Sequence, residues 1–257
     1  MMQLFNRFTD TVKGFVLRTV AVSVLLVFAG TALSAKVYLV AVGVNDYSNF
    51  PGGGCNNLSL SIKDAGDVAN LYGKNTLTER ILLTDASATK ANVKNNIKQL
   101  FDKASADDIV VFYFSGHGYK GGFCVSDGRL TYADIRKAMS TSRCKNKMMF
   151  LDTCHSGSIR QNHGNSSVNQ AKKANVMLFV SSRDSEISTE DHQRNNGRFT
   201  AFLLKGLKGG ADANRDRTIT ARELYDYVHS GVIKSSGNEQ HPVMWGKFSN
   251  TMPVMIW

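Results

Sequence analysis

The fold is decided by residues 109–118, which read IVVFYFSGHG. The first six residues are β-branched or aromatic, which is typical of a strand that is buried on both faces. A second apolar run of the same kind opens residues 148–157, MMFLDTCHSG. Each run ends in a reactive side chain close to glycine, His117 after the first and Cys154 after the second. The two runs therefore predict two core strands that end in a functional site.

The segment between the two runs predicts how they are connected. Leu130, Ile135 and Met139 have helical spacing within residues 130–140, and Thr131 is placed to cap that helix. A strand, a helix and a second strand in succession favour a right-handed crossover between parallel neighbours. Ligands of an open parallel sheet bind at the carboxyl ends of its strands. We therefore expect His117 and Cys154 to emerge side by side on one rim.

A cysteine and a histidine at adjacent strand ends are able to form a thiolate–imidazolium pair. The imidazole takes the thiol proton, which makes the nucleophile available near neutral pH. The N–H of Gly118 is placed to stabilise an oxyanion together with the N–H of Cys154. The alternative is an ordinary buried cysteine and a hydrogen-bonded histidine. The position of both residues after buried strands and close to glycine favours catalysis.

Residues 115–118 (SGHG) and 152–157 (DTCHSG) resemble the two motifs of the caspase-like cysteine peptidases of family C14, the metacaspase branch in particular. The resemblance extends from about Lys36 to about Ser249, and the Gln-Ala-Cys signature of animal caspases is absent from the sequence. It implies an α/β fold, a caspase-like three-layer sandwich with a central, mostly parallel sheet of about six strands and helices on both faces. It also implies a cysteine endopeptidase that requires no cofactor for its chemistry.

Two acidic residues are candidates for the substrate pocket. In metacaspase relatives an acidic residue at the start of the first helix lines the pocket for the residue before the scissile bond, and Asp64 matches that place, while Asp67 is expected to face solvent. A simple helix N-terminal charge is the alternative for Asp64. Asp152 lies two positions before Cys154 on an extended chain, so its carboxylate is expected to flank the thiol. Two carboxylates at one pocket predict cleavage after Arg or Lys.

Two serines are further candidates for the substrate cleft. Ser115 belongs to the histidine motif, and Ser182 follows a predicted strand at the same rim.

The other predicted elements are strands at residues 37–44, 81–84, 176–181 and 242–245, helices at 61–71, 87–104 and 197–207, and a glycine-rich hairpin at 119–128.

Residues 1–35 have the features of a secretory signal peptide. Basic residues precede an apolar run at residues 19–33, and small residues follow at Ala32, Ser34 and Ala35. The run of roughly 15 residues is short for a membrane span, and an uncleaved membrane anchor is the alternative. We expect a secreted or periplasmic protein, without stable membrane association if the signal is cleaved.

The length of 257 residues and the hydrophobic content of 42% suit one domain after the signal peptide. We divide this peptidase domain, 36–257, into a large-subunit-like part (36–157), a linker (158–174) and a small-subunit-like part (175–257). Loss of residues 1–35 would remove three basic residues and one acidic residue, lowering the formal net charge from +10 to +8. The lysines are scattered, so nucleic acid is not an expected partner. The two acidic pocket residues predict a peptide or protein substrate with a basic residue before the scissile bond.

The polar segment around the linker contains three residues that suit the predicted specificity. They are Arg160, Lys172 and Lys173. Relatives are often cut in this linker, so the resemblance implies self-cleavage at these positions.

The four cysteines fit no metal spacing. If Cys154 stays free for catalysis, Cys55, Cys124 and Cys144 remain. Export would place them in an oxidising compartment, where one disulfide is compatible with three cysteines. The sequence does not select the pair.

Residues 212–223 resemble the calcium loop of an EF-hand. The matching oxygen ligands are Asp212, Asn214, Asp216, Thr218 and Glu223. Arg217 occupies the position that should be glycine, and a structural turn that caps the next helix at Thr220 is the alternative. Asp127 and Asp134 also fall where some metacaspases place calcium-binding aspartates, but Gln161 replaces another member of that set.

Two other functions are compatible with parts of the sequence. A catalytically silent binding module would keep the caspase fold as a scaffold, and the intact pair of His117 and Cys154 argues against it. A calcium-dependent envelope protein would centre on residues 212–223, and Arg217 weakens that alternative.

Overall fold

A computed structural model describes residues 35–53, 55–119, 121–153, 176–183, 186, 190–191 and 193–257. Nearly all of the predicted signal peptide (residues 1–34), Cys154, and the self-cleavage candidates Arg160, Lys172 and Lys173 lie outside the described residues. Among the residues that the structure describes, none of the helices combines the length and the hydropathy that a membrane span needs.

The described residues form the following strands, in chain order: β1 (Val37–Gly43), β2 (Thr78–Thr84), β3 (Ile109–Ser115), β4 (Gly118–Tyr119), β5 (Gly122–Val125), β6 (Gly128–Thr131), β7 (Asn146–Asp152), β8 (Val176–Val180), β9 (Glu190–Asp191), β10 (Asn196–Gly197), β11 (Thr218–Thr220), β12 (Val243–Gly246) and β13 (Pro253–Ile256). The α-helices are α1 (Ser61–Tyr72), α2 (Lys90–Phe101), α3 (Tyr132–Ser140), α4 (Arg198–Lys205) and α5 (Ala221–Ser235).

A six-stranded sheet runs through the centre in the order β12-β8-β7-β3-β1-β2. Neighbouring strands are parallel from β2 to β8, and β12 pairs antiparallel with β8. The two motif strands, β3 and β7, are direct parallel neighbours, with Ser115 opposite Asp152. The prediction of a mostly parallel sheet of about six strands is confirmed, and the motif strands end at the same edge.

Helices cover both faces of the sheet because successive side chains of a buried strand point to opposite faces. Val40 and Val42 of β1 pack in one core with residues of α2 and α3. Leu39 and Ala41 pack in a second core with residues of α1, α4 and α5. The result is the three-layer sandwich that the sequence predicted.

Several predicted boundaries were wrong for local reasons. The helix expected from Leu130 begins at Tyr132, because Leu130 and Thr131 pair with β5, while Thr131 caps the helix as predicted. The helix expected at 87–104 is Lys90–Phe101, with the Thr89 side chain as its N-cap. The strand expected at 81–84 extends over Thr78–Thr84, because all seven residues pair with β1.

Candidate active site

The candidate site lies at the edge of the sheet that the carboxyl ends of β3 and β7 form. Beyond the last paired residues, the backbone N–H of Gly116 donates a hydrogen bond to the carbonyl oxygen of Asp152 at 3.2 Å. This bond joins the two motifs directly. A β-carbon on Gly116 would lie 2.6 Å from the hydroxyl oxygen of Tyr47, so glycine allows a close approach that a larger residue would block.

His117 is held from three sides. Its Nε2 lies 2.7 Å from the carbonyl oxygen of Asn56, and its backbone N–H donates to the Tyr47 hydroxyl at 2.9 Å. The Tyr47 and His117 rings pack with their centroids 4.7 Å apart. The His117 carbonyl oxygen accepts a hydrogen bond from the backbone N–H of Cys124 at 2.9 Å.

The contact with Asn56 determines the tautomer of the His117 ring. A carbonyl oxygen only accepts hydrogen bonds, so Nε2 must carry a proton in this contact. In the neutral imidazole Nδ1 is then the basic nitrogen. His117 is thus prepared to accept a proton at Nδ1 while Nε2 stays bound to the protein.

Cys154 lies outside the described residues, but the residue before it is well fixed. The Thr153 backbone N–H donates to the Ser181 hydroxyl, which in turn donates to the Thr153 carbonyl oxygen, each at 3.1 Å. Ser181 follows β8, so these bonds tie the end of β7 to the neighbouring strand. The expected contact between His117 and Cys154 stays a prediction.

Asp64 and Asp152, the two predicted pocket residues, come together at this edge. Their exposed fractions are only 2% and 6%. A β-carbon on Gly197 would lie 3.0 Å from Asp64 Oδ2 and 2.4 Å from Asp152 Oδ2. The two carboxylates therefore converge on the turn between β10 and α4.

Neutral groups hold the Asp64 carboxylate. Oδ1 accepts from the Asn196 side-chain amide at 2.9 Å and from the Gly197 N–H at 3.0 Å, and Oδ2 accepts from the Ser115 hydroxyl at 3.0 Å. Burial, and then the charge of Asp152, raise the pKa of Asp64 to about 7. Its ionised form is therefore disfavoured until a positive charge enters.

Asp152 is anchored to the start of α4. Its Oδ2 accepts from the Thr200 hydroxyl at 2.7 Å and from the Thr200 N–H at 3.2 Å. The same hydroxyl lies 2.6 Å from the Tyr113 hydroxyl on β3. These contacts fix one Asp152 oxygen at the N-terminal turn of a helix, which favours a negative charge.

Comparison with protein families identifies this arrangement. The family model described as Caspase domain matches residues 36–251. The chain belongs to the caspase-domain peptidases. A search of curated proteins found no match.

Solved structures share the fold of this caspase domain. One is the crystal structure of protein GSU0716 from Geobacter sulfurreducens, with a TM-score of 0.64 and 19% sequence identity. The match covers 86% of this chain and 97% of the other. At this identity the likeness shows the fold alone. The family implies peptide or protein substrates.

The remaining predicted site residues of the caspase domain occupy the same edge. Ser115 donates its hydroxyl to Asp64, so it supports the acidic pair. Gly118 follows His117 directly and lies in β4, opposite Phe123 of β5. Ser182 follows β8, is fully buried, and donates its hydroxyl to the Glu186 carbonyl oxygen at 3.3 Å. Roles in binding or oxyanion stabilisation stay predictions for these three residues.

Asp67 was expected to face solvent, and it does so only in part. It lies one helical turn after Asp64, is half-buried, and accepts a hydrogen bond from the Asn196 amide at 2.9 Å. It also forms an ion pair with Lys63. Asn196 therefore bridges Asp64 and Asp67, which the helical pattern alone did not indicate.

The EF-hand-like loop closes through its own hydrogen bonds. Asp212 accepts from the backbone N–H groups of Asp216 and Arg217 at 3.2 and 3.1 Å, and Glu223 accepts from the Thr220 N–H at 3.0 Å. Arg217 has φ of 69°, the left-handed conformation that glycine usually supplies. Thr220 caps α5 with its side chain.

This bonding supports the structural-turn alternative for residues 212–223. Within the described ranges, no group of three or more His, Cys, Asp or Glu side chains is arranged to hold a metal ion. Asp127 and Asp134, at positions where some metacaspases place calcium-binding aspartates, accept hydrogen bonds from the backbone N–H groups of Lys90 and Thr131. Calcium binding stays a prediction.

The sequence interpretation missed four residues of this site. Asn196 and Thr200 flank the start of α4, and polar side chains at a helix N-terminus are common partners of carboxylates, so a signal existed for them. Tyr47 and Asn56 lie in irregular segments. Their contacts with His117 arise from tertiary packing, and no pattern in the sequence marks them.

Proposed function

We propose that this caspase domain is an exported cysteine endopeptidase that hydrolyses peptide bonds after Arg or Lys. The observation that carries the proposal is the buried pair of Asp64 and Asp152 at the edge where His117 lies. A buried pair of carboxylates favours a cation, and substrate Arg or Lys supplies one.

The proposed chemistry uses Cys154 and His117. His117 Nδ1 takes the proton of the Cys154 thiol, and the sulfur attacks the carbonyl carbon of the scissile bond. The N–H groups of Gly118 and Cys154 stabilise the oxyanion of the tetrahedral intermediate. His117 then gives its proton to the leaving amine, which leaves an acyl group on the sulfur.

Water completes the cycle. His117 Nδ1 removes a proton from water as the oxygen attacks the acyl carbon, and the thiolate leaves. The Asn56 carbonyl oxygen holds the Nε2 proton throughout, so it keeps the ring in the tautomer that both steps need. No cofactor takes part in these steps.

Substrate specificity follows from the charge of the pocket. Asp64 is bound by neutral groups among the described residues, and its raised pKa shows that ionisation there is costly. A guanidinium or ammonium group entering beside Asp64 and Asp152 would favour ionisation of both carboxylates. An aspartate side chain would add a third negative charge and be rejected.

Export and self-processing complete the proposal. Residues 1–35 act as the signal peptide, and cleavage after Arg160, Lys172 or Lys173 separates the two parts of the domain. The fragments stay associated because both contribute strands to one sheet.

The experiment that tests this function is hydrolysis of a positional-scanning peptide library by the purified protein and its variants. We expect cleavage after Arg and Lys, no cleavage by Cys154→Ala, and almost none by His117→Ala. The double variant should be hardly worse than either single one, because the pair acts as a unit. Full activity in Cys154→Ala, or a preference for Asp, would overturn the proposal.

A further inference from the structure

Cys55 and Cys124 meet beside His117. Their sulfur atoms are 4.0 Å apart although the residues are separated by 69 positions in the sequence. Cys55 is half-buried in the irregular segment before α1, and Cys124 is buried in β5. Both are thiols in this structure.

Each cysteine belongs to a segment that holds His117. Asn56, the residue after Cys55, provides the carbonyl oxygen that contacts His117 Nε2 at 2.7 Å. The Cys124 N–H donates to the His117 carbonyl oxygen, and the Tyr47 hydroxyl links the Cys124 carbonyl oxygen to the His117 N–H. One thiol thus lies in the segment that contacts the His117 ring, and the other lies in the hairpin that contacts the His117 backbone.

We propose that Cys55 and Cys124 form a disulfide that fixes His117 in position. The bridge would connect the Asn56 segment to β5. Asn56, which contacts the His117 ring, and Cys124, which contacts the His117 backbone, could then not move apart. Any effect of the bridge on peptide cleavage rests on the proposed function, in which His117 is the base. Formation of the bridge does not depend on that function.

Cys144 does not compete for this bridge. Its sulfur lies 2.8 Å from the carbonyl oxygen of Asp108. Asp108 comes directly before β3, at the opposite edge of the sheet from His117. The structure therefore selects a pair among the three cysteines that the sequence left open.

A small disulfide supplies the oxidising equivalents. The Cys55 thiolate attacks the small disulfide RSSR, which gives a mixed disulfide on Cys55 and releases one RSH. The Cys124 thiolate then attacks the Cys55 sulfur and expels the second RSH. The sulfurs must approach by about 2 Å to reach bonding distance, a movement within reach of the irregular Cys55 segment.

The second step should be slow at neutral pH. Burial raises the pKa of the Cys124 thiol, so its thiolate is scarce. We expect the mixed disulfide on Cys55 to accumulate first, and closure of the bridge to become about tenfold faster for each unit of pH over the range in which Cys124 is mainly protonated.

The experiment uses the full chain carrying Cys154→Ala, which removes the nucleophile and makes the result independent of peptidase activity. Oxidised glutathione is added to one sample and a phosphine reductant to the other. Free thiols are then alkylated, and the peptides are mapped without reduction. We expect a cross-link between the peptides that contain Cys55 and Cys124, and a Tm roughly 5–15 °C higher in the oxidised sample.

Amide hydrogen exchange measures whether the bridge fixes His117 in position. Exchange at His117 and Cys124 should be slower in the oxidised protein. Cys55→Ser and Cys124→Ser should abolish the cross-link, while Cys144→Ser, which keeps a donor for the Asp108 carbonyl oxygen, should retain it.

The outcomes separate this inference from the proposed function. Alkylation of Cys124 after oxidation, whether Cys55 is alkylated too or still carries glutathione, or a link from Cys124 to another cysteine, would overturn the bridge. A bridge that leaves amide hydrogen exchange at His117 unchanged would show that the bridge does not fix His117 in position. Failure of the wild-type protein to cleave Arg peptides in either redox state would instead contradict the proposed peptidase function and leave the bridge result standing.

Discussion

Asp64 and Asp152 approach Gly197 from two different elements, and a β-carbon there would lie within 3.0 Å of a carboxylate oxygen of each. Asp64 comes from the first turn of α1, and Asp152 is the last residue of β7. Glycine is therefore the residue that lets both carboxylates share this turn.

Gly197→Ala tests that relationship. The added methyl group must displace Asp152 from Thr200 or push α4 away, so we expect a loss of roughly 1–3 kcal/mol in the free energy of unfolding. Cleavage of Arg peptides should fall at least tenfold. Chemical denaturation and peptide kinetics would measure both effects.

Gly66→Ala is the matched control. A β-carbon at Gly66, inside α1, meets no atom within 4 Å. This substitution should raise the free energy of unfolding by about 0.5–1 kcal/mol, because alanine favours the helix. Equal effects of the two substitutions would contradict the close approach at Gly197.

The raised pKa of Asp64 predicts how cation binding depends on pH. Below about pH 7 Asp64 is mainly protonated, and a cation that pairs with its carboxylate must first displace that proton. The affinity for benzamidine, a small cation resembling an Arg side chain, should therefore rise up to tenfold between pH 6 and pH 8. Competitive inhibition at each pH measures it.

Asp64→Asn should remove this pH dependence. The amide cannot ionise, so benzamidine should bind weakly at every pH. Neutral benzamide serves as the control ligand and should show no change with pH in either protein. A benzamidine affinity that is flat from pH 6 to pH 8 in the wild type would count against Asp64 as the titrating group.

Tyr47→Phe tests the support behind His117. The substitution leaves the His117 N–H and the Cys124 carbonyl oxygen without the Tyr47 hydroxyl, at a cost of about 1–3 kcal/mol in stability. Because the His117 ring, the proposed base, shifts, we expect kcat to fall about tenfold while KM for an Arg peptide changes little.

Tyr72→Phe removes a comparable buried hydrogen bond, from the Tyr72 hydroxyl to the Val254 carbonyl oxygen at 3.0 Å. This bond lies outside the His117 environment, so stability should fall and kcat should not. Equal kcat values for Tyr47→Phe and the wild type would show that Tyr47 does not position the base.

Self-cleavage is expected at Arg160, Lys172 or Lys173. Incubation of the wild type should produce new N-termini after one or more of these residues, and Cys154→Ala should remain intact. Cleavage of both proteins would assign the cuts to another protease.

If cleavage of the wild type is unchanged by a calcium chelator, residues 212–223 act as the structural turn that their hydrogen bonds support.

The apolar runs carried most of the information about the fold. Residues 109–114 and 148–151 are buried on both faces, so their composition alone indicated two core strands. The resemblance to metacaspases placed Asp64 at the predicted pocket, and the position of Asp152 two residues before Cys154 placed it there as well; the structure brings the two together. Helix ends were less well predicted, since Leu130 joins a hairpin through pairing with Phe123 that local propensity does not contain.

The specific contacts of the site residues were beyond the sequence, even for Asn196, whose place before a helix gave a signal. Asn56 reaches His117 through a contact across 61 positions, and Asn196 reaches Asp64 across 132. Such contacts depend on how the layers pack. The same holds for Cys55 and Cys124, whose proximity the cysteine count could not reveal.

The most direct measurement of the central claim is labelling with a covalent inhibitor that carries an Arg side chain, followed by mapping of the modified residue. We predict one label per chain, on Cys154, no label in Cys154→Ala, and slower labelling in His117→Ala. An inhibitor with Asp in place of Arg should react far more slowly. Labelling of Cys55 instead of Cys154, or faster reaction of the Asp inhibitor, would contradict the assignment of a cysteine peptidase specific for basic residues.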